Sequence, residues 1–111
     1  MTNHNFQLTD KIALVTGGAG LLGSAICKAL SEANAKVYIT DIDDEKGNLL
    51  CEKLRKDGLS VEYHNLDINS SESISKCVNN VLSTDSKIDI WVNNAYPKTD
   101  DWNALGSPLK I

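Results

Sequence analysis

The segment Thr16–Gly23, TGGAGLLG, constrains this chain more than any other feature. It closes a short apolar run, Ile12 to Thr16, and opens a run with helical spacing. Strand, glycine loop and helix in that order begin a βαβ unit, in which glycines let the backbone approach a phosphate and a helix N-terminus faces it. The helical run carries Leu22, Ile26, Ala29, Leu30 and Ala33, with Asn34 as its stop. Lys36–Asp41 (KVYITD) predicts a second strand. Asp43, Asp44 and Glu45 suit the start of a second helix, which carries Leu49, Leu50 and Leu54 and ends at Gly58. Val61 and Tyr63 alternate with Glu62 and His64, as in an edge strand with one wet face. Ile74, Cys77, Val78, Val81 and Leu82 trace a third helix behind a Ser/Asn-rich cap, and Ile88–Asn93 (IDIWVN) a fourth strand.

Connections this long, mostly filled by helices, make the strands parallel and the crossovers right-handed. The predicted fold class is therefore α/β: a Rossmann-like parallel sheet, β-α-β-α-β-α-β in order 3-2-1-4, a truncated half of a doubly wound fold. The first two helices lie on one face and the third on the other, with a crevice where strands 1 and 4 diverge. Residues 1–111 read as one incomplete dinucleotide-binding domain, and 97–111 as an irregular tail.

Composition narrows the partners. Eleven Lys and Arg, scattered singly, against fifteen Asp and Glu leave a net charge of −4, which argues against nucleic acid. No run reaches the ~18 apolar residues of a membrane span, and Met1–Asp10 lacks the basic start and apolar stretch of a signal peptide, so a cytoplasmic protein is expected. Cys27, Cys51 and Cys77 are odd in number and lack CxxC spacing, which disfavours disulfides and zinc and leaves them as small core or boundary residues.

Read as GxGxxG, the loop uses Gly18, Gly20 and Gly23 for the turn, the close phosphate approach and the helix–strand contact. The bland alternative is a turn with no ligand. Asp41, at the end of the second strand, stands where an acid accepts the hydroxyls of an adenosine ribose. Such a carboxylate repels a 2′-phosphate, and no Arg or Lys directly follows, so NAD is favoured over NADP. The competing role for Asp41 is a helix cap, which Asp43 can fill instead.

These motifs together resemble the N-terminal part of a short-chain dehydrogenase/reductase, from about Asp10 to Asn94. Thr16 to Gly23 resembles that family's glycine pattern, Asp67 in NLDI its adenine-contacting acid, and Asn93-Asn94-Ala95-Tyr96 its Asn-Asn-Ala-Gly. The resemblance implies a cofactor set of Gly17, Gly18, Gly20, Leu21, Leu22, Gly23, Asp41, Ile42, Asp67, Ile68, Asn94 and Ala95. In it Asp67 bonds the adenine amino group, Ile68 lines the adenine pocket, Asn93 supports the sheet, and Asn94 and Ala95 lie beside the cofactor. As alternatives, Asp67 caps the next helix region and Asn93 and Asn94 only build a turn. Leu21 stands where the usual loop has glycine, and TGxxGxxG on Gly17, Gly20 and Gly23 is typical of the extended branch. Asn-Asn-Ala points to the ordinary alcohol/ketone branch and carries more weight. Tyr96 replaces the family's glycine.

The family's chemistry needs a tyrosine with a lysine four residues on. Here Tyr38, Tyr63 and Tyr96 are followed at that spacing by Ile42, Asp67 and Asp100, so no Tyr-x-x-x-Lys is present. The family's serine on strand 5 and asparagine on helix 4 have no counterpart either. Tyr96 and Lys98, only two apart around Pro97, read as a loop. His4 and His64 are unconvincing as bases or ligands, Trp91 belongs to a strand interior, and Trp102 has no derivable packing. The expected function is the NAD(H)-binding portion of an oxidoreductase acting on an alcohol or carbonyl, inactive alone, with self-association through an uncovered strand 4 (Ile88, Ile90, Trp91, Val92). The alternatives are a non-catalytic nucleotide-binding or regulatory module and a fragment of an extended-branch sugar-nucleotide epimerase or dehydratase. A flavodoxin-like or receiver domain is disfavoured, since neither needs this loop with a ribose-type Asp.

Overall fold

Residues 7–95 are described by a computed structural model. Strand β1 (Ile12–Val15) leads through the glycine loop to helix α1 (Leu21–Glu32), followed by β2 (Lys36–Asp41), α2 (Asp44–Lys56), β3 (Val61–Asn65), α3 (Ser71–Asp85) and β4 (Ile90–Val92). The strands form one parallel sheet in the order β3-β2-β1-β4. This is the expected α/β topology, and its crevice lies at the C-terminal ends of the four strands, lined by residues that follow each of them. His4, Tyr96, Lys98, Trp102 and the tail expected from Pro97 to Ile111 lie outside the described residues.

The central strands are apolar on both faces because both are covered. Ala13, Val15, Val37, Ile39 and Val61 pack with Cys27, Cys51 and Leu54 beneath α1 and α2. Ile12, Leu14, Tyr38 and Leu66 pack with Cys77 and Val81 of α3 on the opposite face. All three cysteines are free and buried, and burial pushes the Cys27 thiol up to about 12, which makes it a poor nucleophile.

The helix faces differ from the sequence expectation. Leu22 and Leu49, taken as inward residues, are 62% and 59% exposed. The fully buried row is Gly23, Cys27 and Ser31 in α1 and Gly47, Cys51 and the expected Leu54 in α2, while Ile26, Leu30 and Leu50 pack against the core partly buried, as expected. The caps follow their chemistry: Asp43 accepts from the Lys46 N–H of α2, Ser70 accepts from the Ser73 N–H of α3, and Asn34 takes a φ of 75° just past α1.

Strand β4 is shorter than Ile88–Asn93. Asp89 donates its N–H to the Ile12 carbonyl at 2.8 Å while its carboxylate accepts the Ile12 N–H at 2.8 Å, so a side chain replaces one rung before the ladder begins. Trp91 is the middle residue of β4, as expected, but its side chain is 39% exposed, and its indole N–H donates to Asn93 Oδ1 at 2.6 Å. On the α3 face, Lys36 meets Asp85 at 2.8 Å, the buried Tyr38 donates its hydroxyl to the same carboxylate, and the His64 ring lies 5.3 Å from the Tyr38 ring. Among the described residues no helix is long and apolar enough to cross a membrane, and no His/Cys/Asp/Glu group could hold a metal.

Candidate functional site

The glycine loop divides its labour differently from the GxGxxG reading. Gly17 makes the turn at a φ of 63°, a conformation that a side chain disfavours. Gly18 is buried and is a packing position: a Cβ there would lie 3.0 Å from Ile39 Cγ2, 3.2 Å from Cys27 Sγ and 3.3 Å from the Val15 carbonyl. Its N–H donates to the Thr40 carbonyl at 2.8 Å. Gly20 is the N-cap of α1 and brings no capping side chain, and α1 has no acid in its first turn. Gly23 lets the helix touch the turn, since a Cβ there would fall 2.0 Å from the Gly17 carbonyl oxygen. The working trio is Gly17, Gly20 and Gly23, the TGxxGxxG spacing. The start of α1 thus presents backbone N–H groups that no side chain or acid has neutralised, a ready place for phosphate oxygens.

Across the crevice, Asp41 closes β2. One carboxylate oxygen accepts the Ala19 N–H of the glycine loop at 3.0 Å and the other the Asp43 N–H at 3.0 Å. The cap of α2 falls to Asp43, whose carboxylate accepts the Lys46 N–H at 3.1 Å, so Asp41 is not spent on the helix. Each Asp41 oxygen retains a lone pair for a further donor. Asp67 follows β3; its carboxylate accepts the Asn69 N–H at 2.9 Å, and its own N–H donates to the Ser73 hydroxyl oxygen at 2.9 Å. Asp67 thus builds a local turn rather than capping α3, whose cap is Ser70, and it also lines the crevice.

The third wall is tied to the first by Thr16. Its buried hydroxyl oxygen accepts the Asn94 N–H at 2.9 Å and the Ala95 N–H at 3.1 Å, and donates to the Val92 carbonyl at 3.3 Å. Asn94 returns the tie through its side-chain amide, which donates to the Gly17 carbonyl at 3.1 Å. Among the described residues it is Asn94, expected beside the cofactor, that ties β4 to β1, whereas Asn93, expected to support the sheet, is exposed with its side chain accepting from Trp91.

The result is a cleft of about 580 Å³, the size of a small-molecule site, lined by Gly17, Gly20, Leu22, Asp41, Ile42, Leu66, Asp67, Ile68, Asn69, Asn94 and Ala95. Of the residues expected from sequence, Gly18, Leu21 and Gly23 do not line it. Leu21 is 95% exposed and offers only its backbone. Leu66 and Asn69 were not anticipated; both flank the Asp67-Ile68 pair, and that adjacency was the available signal. A second, polar depression of about 510 Å³ lies between β3 and α3, lined in part by His64, Ser70, Lys76 and Asn80 and away from the glycine loop.

Residues 11–101 match the family model described as short chain dehydrogenase. The chain belongs to the short chain dehydrogenase family. This short chain dehydrogenase chain is 32% identical over 89 residues to cyclopentanol dehydrogenase of Comamonas testosteroni, covering 80% of the chain and 36% of that enzyme. Its fold superposes on a hydroxysteroid dehydrogenase from Escherichia coli with a TM-score of 0.80 and 29% identity, over 84% of this chain and 40% of that one. An actinorhodin polyketide ketoreductase solved with NADPH gives a TM-score of 0.75 and 26% identity, over 78% of this chain and 33% of that one. The chain thus spans about a third of the length of the curated relatives it matches, at 36% and 31%.

Proposed function

We propose that the cleft binds NAD and that this chain is the cofactor-binding part of an oxidoreductase acting on an alcohol or carbonyl compound. The observation that carries the reading is the pairing of an uncapped helix start, at Gly20 to Gly23, with the Asp41 carboxylate on the neighbouring strand. Phosphates fit the first and ribose hydroxyls the second. Gly17, Gly20 and the backbone of Leu21 and Leu22 hold the pyrophosphate, Asp41 and Ile42 the ribose, and Asp67 and Ile68 the adenine. Asn94 and Ala95 flank the path toward the nicotinamide, which supplies the hydride acceptor or donor of the reaction. The ketoreductase relative supports a nicotinamide dinucleotide by its bound NADPH; the preference for NAD rests on Asp41. These residues include no Tyr-x-x-x-Lys, so a polypeptide of the 111 residues binds cofactor without oxidising an alcohol by itself. Among the described residues β4 is the outer strand of the sheet with Trp91 exposed on it, which supports self-association through this edge as part of the same reading.

Calorimetric titration with NAD and NADP tests the reading. The unaltered chain is expected to prefer NAD. Asp41→Arg removes the ribose acceptor and adds a cation for the 2′-phosphate, so the preference should swing toward NADP by about tenfold or more, the equivalent of roughly 1.4 kcal/mol. An unchanged preference in the variant removes Asp41 from the ribose site.

A further inference from the structure

The turn that carries Asp41 has almost no apolar anchor, because Ile42 is 67% exposed. Polar groups from the edge strand hold it instead. The Tyr63 hydroxyl lies 2.8 Å from the Asp41 carbonyl oxygen and 2.6 Å from Asp44 Oδ1. The Asn65 amide donates to Asp44 Oδ1 at 2.9 Å and to the Ile42 carbonyl at 3.4 Å. The Asp41 carbonyl also accepts the Leu66 N–H at 2.9 Å. β3 lies beside β2 with Tyr63 opposite Ile39 and Asn65 opposite Asp41, so the phenol reaches forward along the sheet to the turn. It can do so because α2 has a glycine beneath it: a Cβ on Gly47 would sit 2.1 Å from Tyr63 Cε1 and 2.4 Å from Cδ1.

From this geometry we infer that Tyr63 and Asn65 are positioning residues for cofactor selection, fixing the Asp41–Asp44 turn so that the Asp41 carboxylate points at the ribose. The inference rests on the NAD reading of Asp41. The single phenolic proton goes to one acceptor at a time, and the ionised Asp44 is the stronger one. Burial, followed by the Asp44 hydrogen bond, raises the Tyr63 pKa, while the bonds from Tyr63 and then Asn65 lower that of Asp44, so donor and acceptor both keep their roles at neutral pH. With the turn fixed, the two Asp41 bonds to Ala19 and Asp43 aim its carboxylate; with the turn loose, the same side chain samples several directions. Loss of aim weakens NAD, which needs the acceptor, more than NADP, which does not.

The test is Tyr63→Phe, which keeps the ring over Gly47 and removes only the hydroxyl, titrated with NAD and NADP in the full chain beside Asn65→Ala. Each variant is expected to weaken NAD by about three- to tenfold, the worth of one such hydrogen bond, and to narrow the preference for NAD over NADP by about threefold or more. A purely structural role would weaken both dinucleotides alike and leave their ratio unchanged, and that result overturns the inference. If Tyr63→Phe fails to fold, the ratio in Asn65→Ala decides by the same criterion. Should Asp41→Arg shift the preference while neither β3 variant does, the inference fails and the NAD reading stands. Should Asp41→Arg shift nothing, both fail.

Discussion

Gly23→Ala is expected to abolish measurable dinucleotide binding and to lower stability by about 1–3 kcal/mol, the range for an overpacked site. The added Cβ would lie 2.0 Å from the Gly17 carbonyl oxygen and 2.9 Å from the Asn94 amide nitrogen. The first of these is backbone, which cannot swing aside as a side chain can. That oxygen also accepts the Gly20 N–H at 3.2 Å and the Asn94 amide at 3.1 Å, so moving it disturbs the turn, the helix start and the tie to β4 together. Gly20→Ala is the control for stability, because its Cβ meets only the Gly17 oxygen at an ordinary 3.5 Å. Urea unfolding and NAD titration read the two effects; a Gly23→Ala chain with native midpoint and native affinity would show that the helix does not rest on the turn.

Thr16→Val is expected to cost about 2 kcal/mol and to weaken NAD by about tenfold. The shape is nearly preserved, so the loss comes from chemistry. The Thr16 side chain is almost wholly buried and is the acceptor for two successive backbone N–H groups, those of Asn94 and Ala95. Without it both donors lose their partner, and the segment after β4 is freed from the wall it builds. Thr16→Ser retains the oxygen and should restore most of both losses. Equal behaviour of the valine and serine variants would remove the hydroxyl from this role.

Much of this fold could be read from residue order, and the physical reason is local. Glycine after an apolar run, helical periodicity and acidic or serine caps act within a few residues, so β1 to β4 and the strand order followed from them. The inward faces of α1 and α2 were less legible. Periodicity placed Ile26, Leu30, Leu50 and Leu54 on the core correctly but added Leu22 and Leu49, which are exposed; the closest approach to the sheet goes to small residues, Gly23, Cys27, Gly47 and Cys51. The limits of β4 were set by Asp89 bonding to Ile12, a pairing 77 residues apart that leaves no local signature.

The candidate site divides in the same way. Asp41, Asp67 and Asn94 stand out because their residue types and spacing follow the family's motifs. The groups that aim them do not. Thr16 reads as the end of a strand, Tyr63 as one apolar member of an alternating run, and Asn65 draws no assignment of its own. Their importance comes from side chain–backbone bonds across the sheet, which appear only when β3, β2, β1 and β4 stand side by side.

The most direct measurement is an amide chemical-shift map of the full chain titrated with NAD. Saturable shifts are predicted at Gly17, Gly20, Leu22, Asp41, Ile68 and Asn94, tracing one cleft across the C-terminal ends of β1, β2, β3 and β4, with the depression between β3 and α3 unmoved. No saturable shift at those amides, or shifts centred on Ser70 to Asn80, would contradict the assignment of the glycine-loop cleft as the dinucleotide site.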